Sequence, residues 1–282
     1  MKVRIVIDST ADTTAAVREK CTVVPLTIHF GEEDFVDGVT MTHHDFYKKL
    51  VEGKGLPTTS QPTPAAFAQV YQSAVDASEE VVVLTISSKL SGTYQSATIA
   101  AMDFPGKVFV VDSMNAALGS GILAELAVRL ADSGMSAGEI ADRLTKERDN
   151  VHLVAVVDTL EYLKRGGRVS KTVAFAGELL SIKPVITLLD GEVAVIGKVR
   201  GTKQAHNYLN KDIASCGGVD FSKPLLLGYA GLDEDVLTNY MNDSTDVWGE
   251  HPELLNTTIV GSVIGTHVGP GAVAVAFFKN NA

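Results

Sequence analysis

Length, composition and charge describe an ordinary globular protein with an acidic surface. The chain has 282 residues, 45% of them apolar and 21% charged, and its formal net charge is −10. This length predicts two domains or one large one. A negative surface repels nucleic-acid phosphates and anionic lipid headgroups, so we expect no nucleic-acid partner and no stable membrane insertion. The N-terminus resembles a strand more than a signal peptide, and no apolar run approaches the ~18 residues that cross a bilayer, so we expect a cytoplasmic protein.

The cysteines and histidines form no disulfide or metal-binding pattern. Cys21 and Cys216 are isolated, so we expect free thiols in a reducing compartment. His43 and His44 are adjacent and point apart on a predicted helix, which is poor metal geometry. Four further histidines are scattered along the chain: His29, His152, His206 and His251. We therefore predict no bound metal.

The first half of the chain is predicted to alternate strands with helices. Apolar runs predict strands over residues 3–7, 81–86, 107–111 and 151–157. Another strand is predicted over residues 23–30, and because it contains Pro25 it should be irregular or lie at the edge of a sheet. Helices are predicted over residues 12–20, 43–52, 65–77, 94–102, 114–131 and from 136 to about 148. Thr63 with Pro64, and Ser136 with Glu139, mark two helix starts. This rhythm predicts a parallel sheet in an α/β domain over residues 1–158.

The pattern changes after residue 158. Short helices are predicted over residues 159–165 and 172–180, and Asp190-Gly191 joins strands 184–189 and 192–199 in a hairpin. A helix over 203–215, a strand over 225–229, a helix over 233–242 and strands over 257–263 and 273–278 follow. A hairpin among mixed elements predicts an α+β domain with a mixed sheet over residues 159–282.

Two hydroxyl-rich loops of the first half have the chemistry to hold an acid. Residues 57–64 place four hydroxyls ahead of a helix, where unpaired backbone N–H groups bind anions readily. Residues 87–93 follow a buried strand, and ligands of open α/β sheets bind at the carboxyl ends of strands. Ser91 is placed to cap the next helix, and Gly92 lets a ligand approach the backbone. For both loops, simple helix capping remains the alternative interpretation.

Two basic loops of the second half are further candidates. Arg165 and Arg168 flank the pair Gly166-Gly167 and could grip a carboxylate, although a helix C-cap with solvated arginines is the favoured interpretation of this segment taken alone. His267 lies in a glycine-rich stretch, residues 265–272, predicted as a loop between strands, where it would donate to a carboxylate or cap a turn. The sequence contains no P-loop, no G-x-S-x-G elbow and no H-E-x-x-H. We therefore expect no ATP site in this chain.

Short segments that span nearly the whole chain form a recognisable series: Asp8-Ser9-Thr10, Thr58-Thr59-Ser60-Gln61-Pro62, Leu90-Ser91-Gly92-Thr93-Tyr94, Val111-Asp112-Ser113, Gly166-Gly167-Arg168, Lys183-Pro184, Lys198-Val199-Arg200 and Gly265-Thr266-His267-Val268-Gly269-Pro270-Gly271. Taken together in this order, these segments resemble the DegV family, whose members include the fatty-acid-binding subunits of bacterial fatty acid kinase.

The resemblance implies an α/β fold of two domains with a fatty-acid tunnel between them, and roles for individual residues. It implies that the fatty acid is bound by Thr59, Ser60, Ser91, Gly92, Arg168 and His267. Arg200 and His267 are implied to assist catalysis by a partner, the catalytic subunit of the kinase, which holds ATP and magnesium and makes the acyl phosphate. The carrier itself is implied to be no enzyme and to need no cofactor, and we expect a monomer.

Two other functions remain open from the sequence. A stand-alone acyl or lipid hydrolase would use Ser91 and His267, although no third member of a triad is evident. A lipid-responsive regulator would bind a fatty acid and signal through contacts without supplying a kinase.

Overall fold

The computed structural model describes residues 2–53, 55–169 and 181–280. Its strands are β1 Val3–Asp8, β2 Cys21–Val24, β3 Thr27–Phe30, β4 Glu33–Val36, β5 Thr58–Ser60, β6 Glu80–Thr85, β7 Val108–Asp112, β8 Val151–Val156, β9 Ile182–Leu189, β10 Glu192–Arg200, β11 Leu226–Tyr229, β12 Thr257–Ile259 and β13 Val273–Phe278. Its α-helices are α1 Ala15–Arg18, α2 His43–Glu52, α3 Pro64–Asp76, α4 Thr93–Ala101, α5 Ala117–Asp132, α6 Ala137–Glu147, α7 Glu161–Arg165, α8 Thr202–Ser215, α9 Asp235–Asp243, α10 Thr245–Trp248 and α11 Ser262–Val268.

A four-stranded parallel sheet forms the N-terminal layer, in the order β2-β1-β6-β7. Strand β6 is buried along most of its length because helices cover both faces, as its unbroken apolar run predicts. The parallel α/β part of the predicted fold class is confirmed. Residues 151–157, however, do not belong to this sheet.

A six-stranded mixed sheet forms the second layer, in the order β10-β9-β8-β13-β11-β12. Strand β8 lies in its middle, antiparallel to both β9 and β13, so the prediction that residues 151–157 continue the parallel sheet is wrong. An apolar run indicates burial and not the choice of partner strands, which long-range packing decides. The domain boundary near residue 158 stays a prediction, and sheet membership groups β8 with the C-terminal strands.

A three-stranded antiparallel sheet, β4-β3-β5, stands beside the first layer. The predicted single strand over residues 23–30 is in fact two strands in two sheets, separated at Pro25, which lacks the N–H that a continuous ladder needs. Residues 58–60, predicted as part of a hydroxyl-rich loop, form β5 against β3. This pairing matters because it directs the side chain of Thr59.

Local signals predicted several boundaries correctly. Thr63 caps α3 with Pro64 in its first turn, and Ser136 with Glu139 forms a complete capping box on α6. Asp190 and Gly191 both have positive φ, 49° and 80°, as a two-residue turn between β9 and β10 requires. The predicted helix over 172–180 lies outside the described residues.

The six-stranded sheet has a different core on each face. Residues 154 and 156 of β8 pack with α8 and α9 on its outer face, whereas residue 155 packs toward the N-terminal layer. Strand alternation thus separates the inner from the outer surface. Within the described residues, no helix combines the length and apolar character needed to cross a membrane.

Candidate functional site

A cavity of about 360 Å³ lies between the N-terminal layer and the inner face of the six-stranded sheet. Its volume is within the range of about 300–1,000 Å³ that small-ligand sites occupy. Loops that follow the carboxyl ends of β1, β6 and β7 contribute one wall, as expected for an open parallel sheet. The apolar lining comes from these side chains: Leu26, Ile86, Leu90, Ala116, Ala117, Leu153, Ala155, Val157, Leu163, Ile186, Leu188, Val193, Val260, Val263, Ile264, Val268, Ala272 and Ala274.

Polar side chains form a smaller part of the same lining. They are Thr10, Thr59, Ser60, Gln61, Ser91, Arg168, Thr187 and His267. The hydroxyl of Thr187 already donates to the carbonyl of Leu153, and that of Thr10 to the carboxylate of Asp8. The other polar side chains come from all four loops that the sequence analysis gave as candidates for binding an acid.

Strand pairing aims Thr59 into the protein. Thr59 lies opposite the fully buried Ile28 in the β3–β5 ladder, so both side chains point to the inner face. There the hydroxyl of Thr59 lies 3.0 Å from Nε2 of His267. The strand therefore places a hydroxyl and an imidazole side by side at the cavity wall.

His267 lies on the last turn of α11, not in a loop between strands as predicted. The strand predicted over residues 257–263 ends at Ile259, and the helix begins at Ser262. Burial, and secondarily the charge of Arg168, lowers the pKa of His267 to about 4, so the imidazole is neutral at pH 7. Its Nδ1 is buried and has no hydrogen-bond partner among the described residues.

Gly166 makes room for this imidazole. A Cβ at this glycine would lie 2.2 Å from Nδ1 of His267, which is shorter than any stable contact. The glycine pair ends α7: Gly167 has a φ of 70° and its N–H donates to the carbonyl of Lys164. This loop is therefore a helix C-cap that also lies against His267, and its binding of a carboxylate stays a prediction.

Arg168 joins the Gly166 loop to the Ser91 loop. Its guanidinium donates to the carbonyl oxygens of Leu90 and Gly166, and the side chain lines the cavity. Arg165 instead is exposed and paired with Glu161. The two arginines of this motif thus have different surroundings, and Arg168 is the one at the cavity.

Ser91 and Gly92 form the other side of this polar cluster. The prediction that Ser91 caps the next helix is wrong: α4 begins at Thr93, its N-cap is Gly92, and the hydroxyl of Ser91, one residue earlier, accepts from the N–H of Thr93. Gly92 lies under the side chain of Gln61: a Cβ there would be 2.3 Å from its amide oxygen. The same amide donates to the hydroxyl of Ser96, which holds it against the loop.

Ser60 and Arg200 lie differently from the other predicted site residues. Ser60 borders the cavity, but its hydroxyl is on the outer face of the small sheet, 2.7 Å from Nε2 of His29, whose Nδ1 lies 2.6 Å from Asp34. Arg200 is exposed at the end of β10, opposite Ile182, and is not part of the cavity lining. Contact of either residue with a ligand stays a prediction.

Sequence reasoning did not single out Thr10 and Gln61 as lining residues. Thr10 follows the carboxyl end of β1, where ligands of parallel sheets bind, so its position was a usable signal. Gln61 stands in the same hydroxyl-rich segment as Thr59 and Ser60. Its placement depends on the contact with Ser96, which local sequence cannot indicate.

Residues 2–280 match the model of a family described as uncharacterised proteins, the DegV family. A DegV domain-containing protein of Caldanaerobacter subterraneus subsp. tengcongensis is 37% identical over 256 residues, which is 90% of each chain. Among solved structures, a fatty-acid-binding DegV family protein from Thermus thermophilus is 35% identical, with a TM-score of 0.88 over 99% of this chain and 100% of that one.

The fold is also that of the Streptococcus pneumoniae fatty acid kinase B3 protein loaded with linoleic acid. The TM-score is 0.84 over 99% of this chain and 100% of that one, at 19% identity. At this level of identity the likeness concerns the fold alone.

Proposed function

Because this chain belongs to the DegV family, we propose that it binds a long-chain fatty acid in the cavity between its two larger sheets. One observation carries the proposal: a mostly apolar cavity that gathers Thr59, Ser91, Arg168 and His267 at its wall. The Thermus thermophilus relative, similar over nearly its full length, is a fatty-acid-binding protein, which supports the same ligand class here.

The polar cluster is suited to a carboxylate. A buried carboxylate is costly unless donors surround it, and two hydroxyls, an imidazole and a guanidinium supply such donors. With the pKa of His267 at about 4, Arg168 supplies the positive charge at neutral pH. Hydrogen bonds to a charged group contribute about 1.5–3 kcal/mol each, so a few of them offset the loss of hydration.

The apolar lining suits the acyl tail. Burying one methylene contributes ~0.8 kcal/mol, so a sixteen-carbon tail gains on the order of 10 kcal/mol if it is fully buried. This gain exceeds what the head group contributes, so the tail sets affinity and the polar cluster sets orientation. The fatty acid would lie with its carboxylate between β5, α11 and the Ser91 loop.

We further propose that a separate kinase phosphorylates the bound acid. The partner would hold ATP and magnesium, and a carboxylate oxygen of the fatty acid would attack the γ-phosphorus to form an acyl phosphate and ADP. Arg200, exposed at the end of β10, would contact the kinase or the transferring phosphoryl group, and His267 would hold the acid in position. In this proposal the chain is a monomeric cytoplasmic carrier without a cofactor or an ATP site of its own.

Mass spectrometry of the purified protein tests the ligand. Solvent extraction of protein expressed in bacteria should release about one C14–C18 fatty acid per chain, and Ser91→Ala should retain much less. Ser88→Ala, which changes a neighbouring serine outside the cavity lining, is the matched control. An extract without lipid, combined with no thermal shift on adding fatty acids, would refute the ligand assignment.

A reconstituted kinase reaction tests delivery. Arg200→Ala should leave fatty-acid binding unchanged and reduce acyl-phosphate formation at least tenfold. Lys203→Ala, which changes an exposed residue in the first turn of α8, should change neither. Normal turnover by Arg200→Ala would exclude the proposed role of this arginine. A protein that binds fatty acid but supports no kinase would instead be a lipid-responsive regulator.

The hydrolase alternative gains one specific observation, but not at Ser91. His267 contacts Thr59, and its Nδ1 has no carboxylate partner within residues 2–53, 55–169 and 181–280, so these residues show no triad of Ser91 and His267. Ser60, His29 and Asp34 do have the spacing of one, 2.7 and 2.6 Å, at the cavity edge. Labelling of Ser60 by a fluorophosphonate, lost in His29→Ala, with hydrolysis of an acyl thioester, would favour this second function. Absence of both would exclude it.

A further inference from the structure

Three side chains with different donor atoms meet on the outer face of the six-stranded sheet, away from the cavity. They are His152 of β8, Asp212 of α8 and Cys216 at the C-cap of α8. One nitrogen, one oxygen and one sulfur all lie within 4.8 Å of one another. The three residues are half-buried, and none of them lines the cavity.

Sequence spacing predicted no metal because these residues lie far apart in the chain, and the fold is what brings them together. Alternate residues of β8 point to opposite faces, so Leu153 and Ala155 line the cavity while His152 points toward α8. Asp212 and Cys216 are four residues apart and therefore share one side of the helix. Nε2 of His152 then lies 2.6 Å from a carboxylate oxygen of Asp212, and the imidazole packs on Phe277.

We propose that His152, Asp212 and Cys216 form a binding site for Zn²⁺ or a similar divalent transition-metal ion. Imidazole, carboxylate and thiolate are the three ligand types that zinc uses in proteins. Zinc–ligand bonds of about 2.0–2.3 Å at tetrahedral angles separate the donor atoms by about 3.3–3.8 Å. The observed separations, from 2.6 Å to at most 4.8 Å, bracket this value, so side-chain rotation suffices to bring the donors into place. Water would be the fourth ligand.

Two of the three ligands supply negative charge at this position, against the neighbouring cation Lys279, whose charge acts on Cys216. One thiolate and one carboxylate neutralise a divalent ion, which lowers the cost of holding it in a half-buried site. The site is also at the C-terminal end of α8, a helix of 14 residues, where the backbone carbonyls carry partial negative charge.

Binding of the ion would replace the hydrogen bond between His152 and Asp212 by two metal–ligand bonds, and the thiol of Cys216 would lose its proton as the sulfur coordinates. The ion would tie the end of α8 to β8 and stabilise the outer layer of the C-terminal sheet.

Titration with Co²⁺ tests the proposal, because thiolate coordination to cobalt produces a charge-transfer absorption that other ligands do not. The metal-free wild-type protein should bind one Co²⁺ with this absorption, and Zn²⁺ should displace it. At a hundredfold excess over Kd, Zn²⁺ should raise the unfolding midpoint by about 5 °C.

Two free thiols provide a matched control. Cys21→Ser should leave the cobalt absorption unchanged, whereas Cys216→Ser should abolish it. Asp212→Asn keeps the size and hydrogen-bonding capacity of the side chain, so it should fold normally and weaken Co²⁺ binding by at least 100-fold. No stoichiometric absorption in the wild type, or an absorption that follows Cys21 in place of Cys216, would overturn the proposal.

Discussion

The hydroxyl of Thr59 and Nε2 of His267 lie 3.0 Å apart although 208 residues separate them in the chain. This contact joins the small N-terminal sheet to α11 of the C-terminal half. Both side chains line the cavity, so the contact also forms part of its polar wall. A ligand carboxylate that reaches this wall meets groups whose relative positions the fold has already set, which lowers the entropic cost of binding.

We expect the substitution Thr59→Val to weaken fatty-acid binding about tenfold. Valine keeps the shape of threonine and removes only the hydroxyl, whose hydrogen bond contributes about 1.5 kcal/mol when the acceptor is charged. Thr58→Val is the matched control, because Thr58 is on the same strand and points to the exposed face. Calorimetric titration with palmitate checks this result. Equal losses in both variants would indicate damage to β5 and not the loss of a ligand contact.

We expect His267 to make the lipid-free protein less stable as the pH falls. The folded pKa of about 4 lies below the ordinary value of 6.5, so between these values the unfolded chain binds more protons than the folded one. The free energy of unfolding therefore decreases from pH 6.5 downward, and the loss is complete below about pH 4. A shift of this size corresponds to about 3 kcal/mol.

Urea unfolding of the wild type and of His267→Gln at pH 7 and pH 4.5 measures this effect. Glutamine does not titrate, so the stability difference between the two proteins should change with pH in the stated direction. Buried acids such as Asp8 and Asp12, whose pKa values burial raises, act in the opposite direction but cancel in the difference. A difference that is the same at both pH values would contradict the lowered pKa.

Local signals in the sequence predicted where helices and turns lie better than they predicted which strands pair with each other. The capping residues of α3 and α6 and the Asp190-Gly191 turn act over four residues or fewer, so the sequence specifies them directly. Strand β8 has the same apolar pattern in either sheet, because burial on both faces does not depend on which strands pair with it. Only packing across the whole chain decided that β8 joins the mixed sheet.

The residues of the candidate site were predicted from the resemblance to the DegV family more than from any single motif. Thr59, Ser91, Arg168 and His267 all line one cavity, although each loop alone also had an interpretation as a helix cap or a turn. The glycine-rich segment around His267 has low helix propensity and was predicted as a loop. It forms α11 because Val263 and Ile264 are buried. Two hydrogen bonds also fix the residues directly before the helix: Tyr47 donates to the carbonyl of Val260, and Asp12 accepts from the N–H of Gly261.

We expect Ala155→Leu to shorten the chain length that the protein accepts. Ala155 points into the cavity from β8, so leucine would occupy space of about three methylenes of the ligand. The affinity for palmitate should fall by about 2 kcal/mol, or roughly 30-fold, while shorter acids are affected less. Competition binding across acids of increasing length measures the shift.

Ala276→Leu provides the contrast for this experiment. Ala276 is fully buried in β13 but does not line the cavity, so the larger side chain has no free space. It should reduce the free energy of unfolding by about 1–3 kcal/mol, whereas Ala155→Leu should not. An unchanged length preference in a well-folded Ala155→Leu protein would mean that the tail lies elsewhere.

We expect Asp12 to hold the segment that carries His267, through one hydrogen bond. Its Oδ1 accepts from the N–H of Gly261 at 2.8 Å, directly before α11, and both groups are buried. Asp12→Ala should reduce the free energy of unfolding by about 1–3 kcal/mol because the N–H of Gly261 loses its acceptor. Asp12→Asn keeps that acceptor oxygen and removes a charge that burial disfavours, so it should be as stable as the wild type at pH 7. If denaturation curves placed the two variants at the same reduced stability, the carboxylate charge and not the acceptor would be what the segment requires.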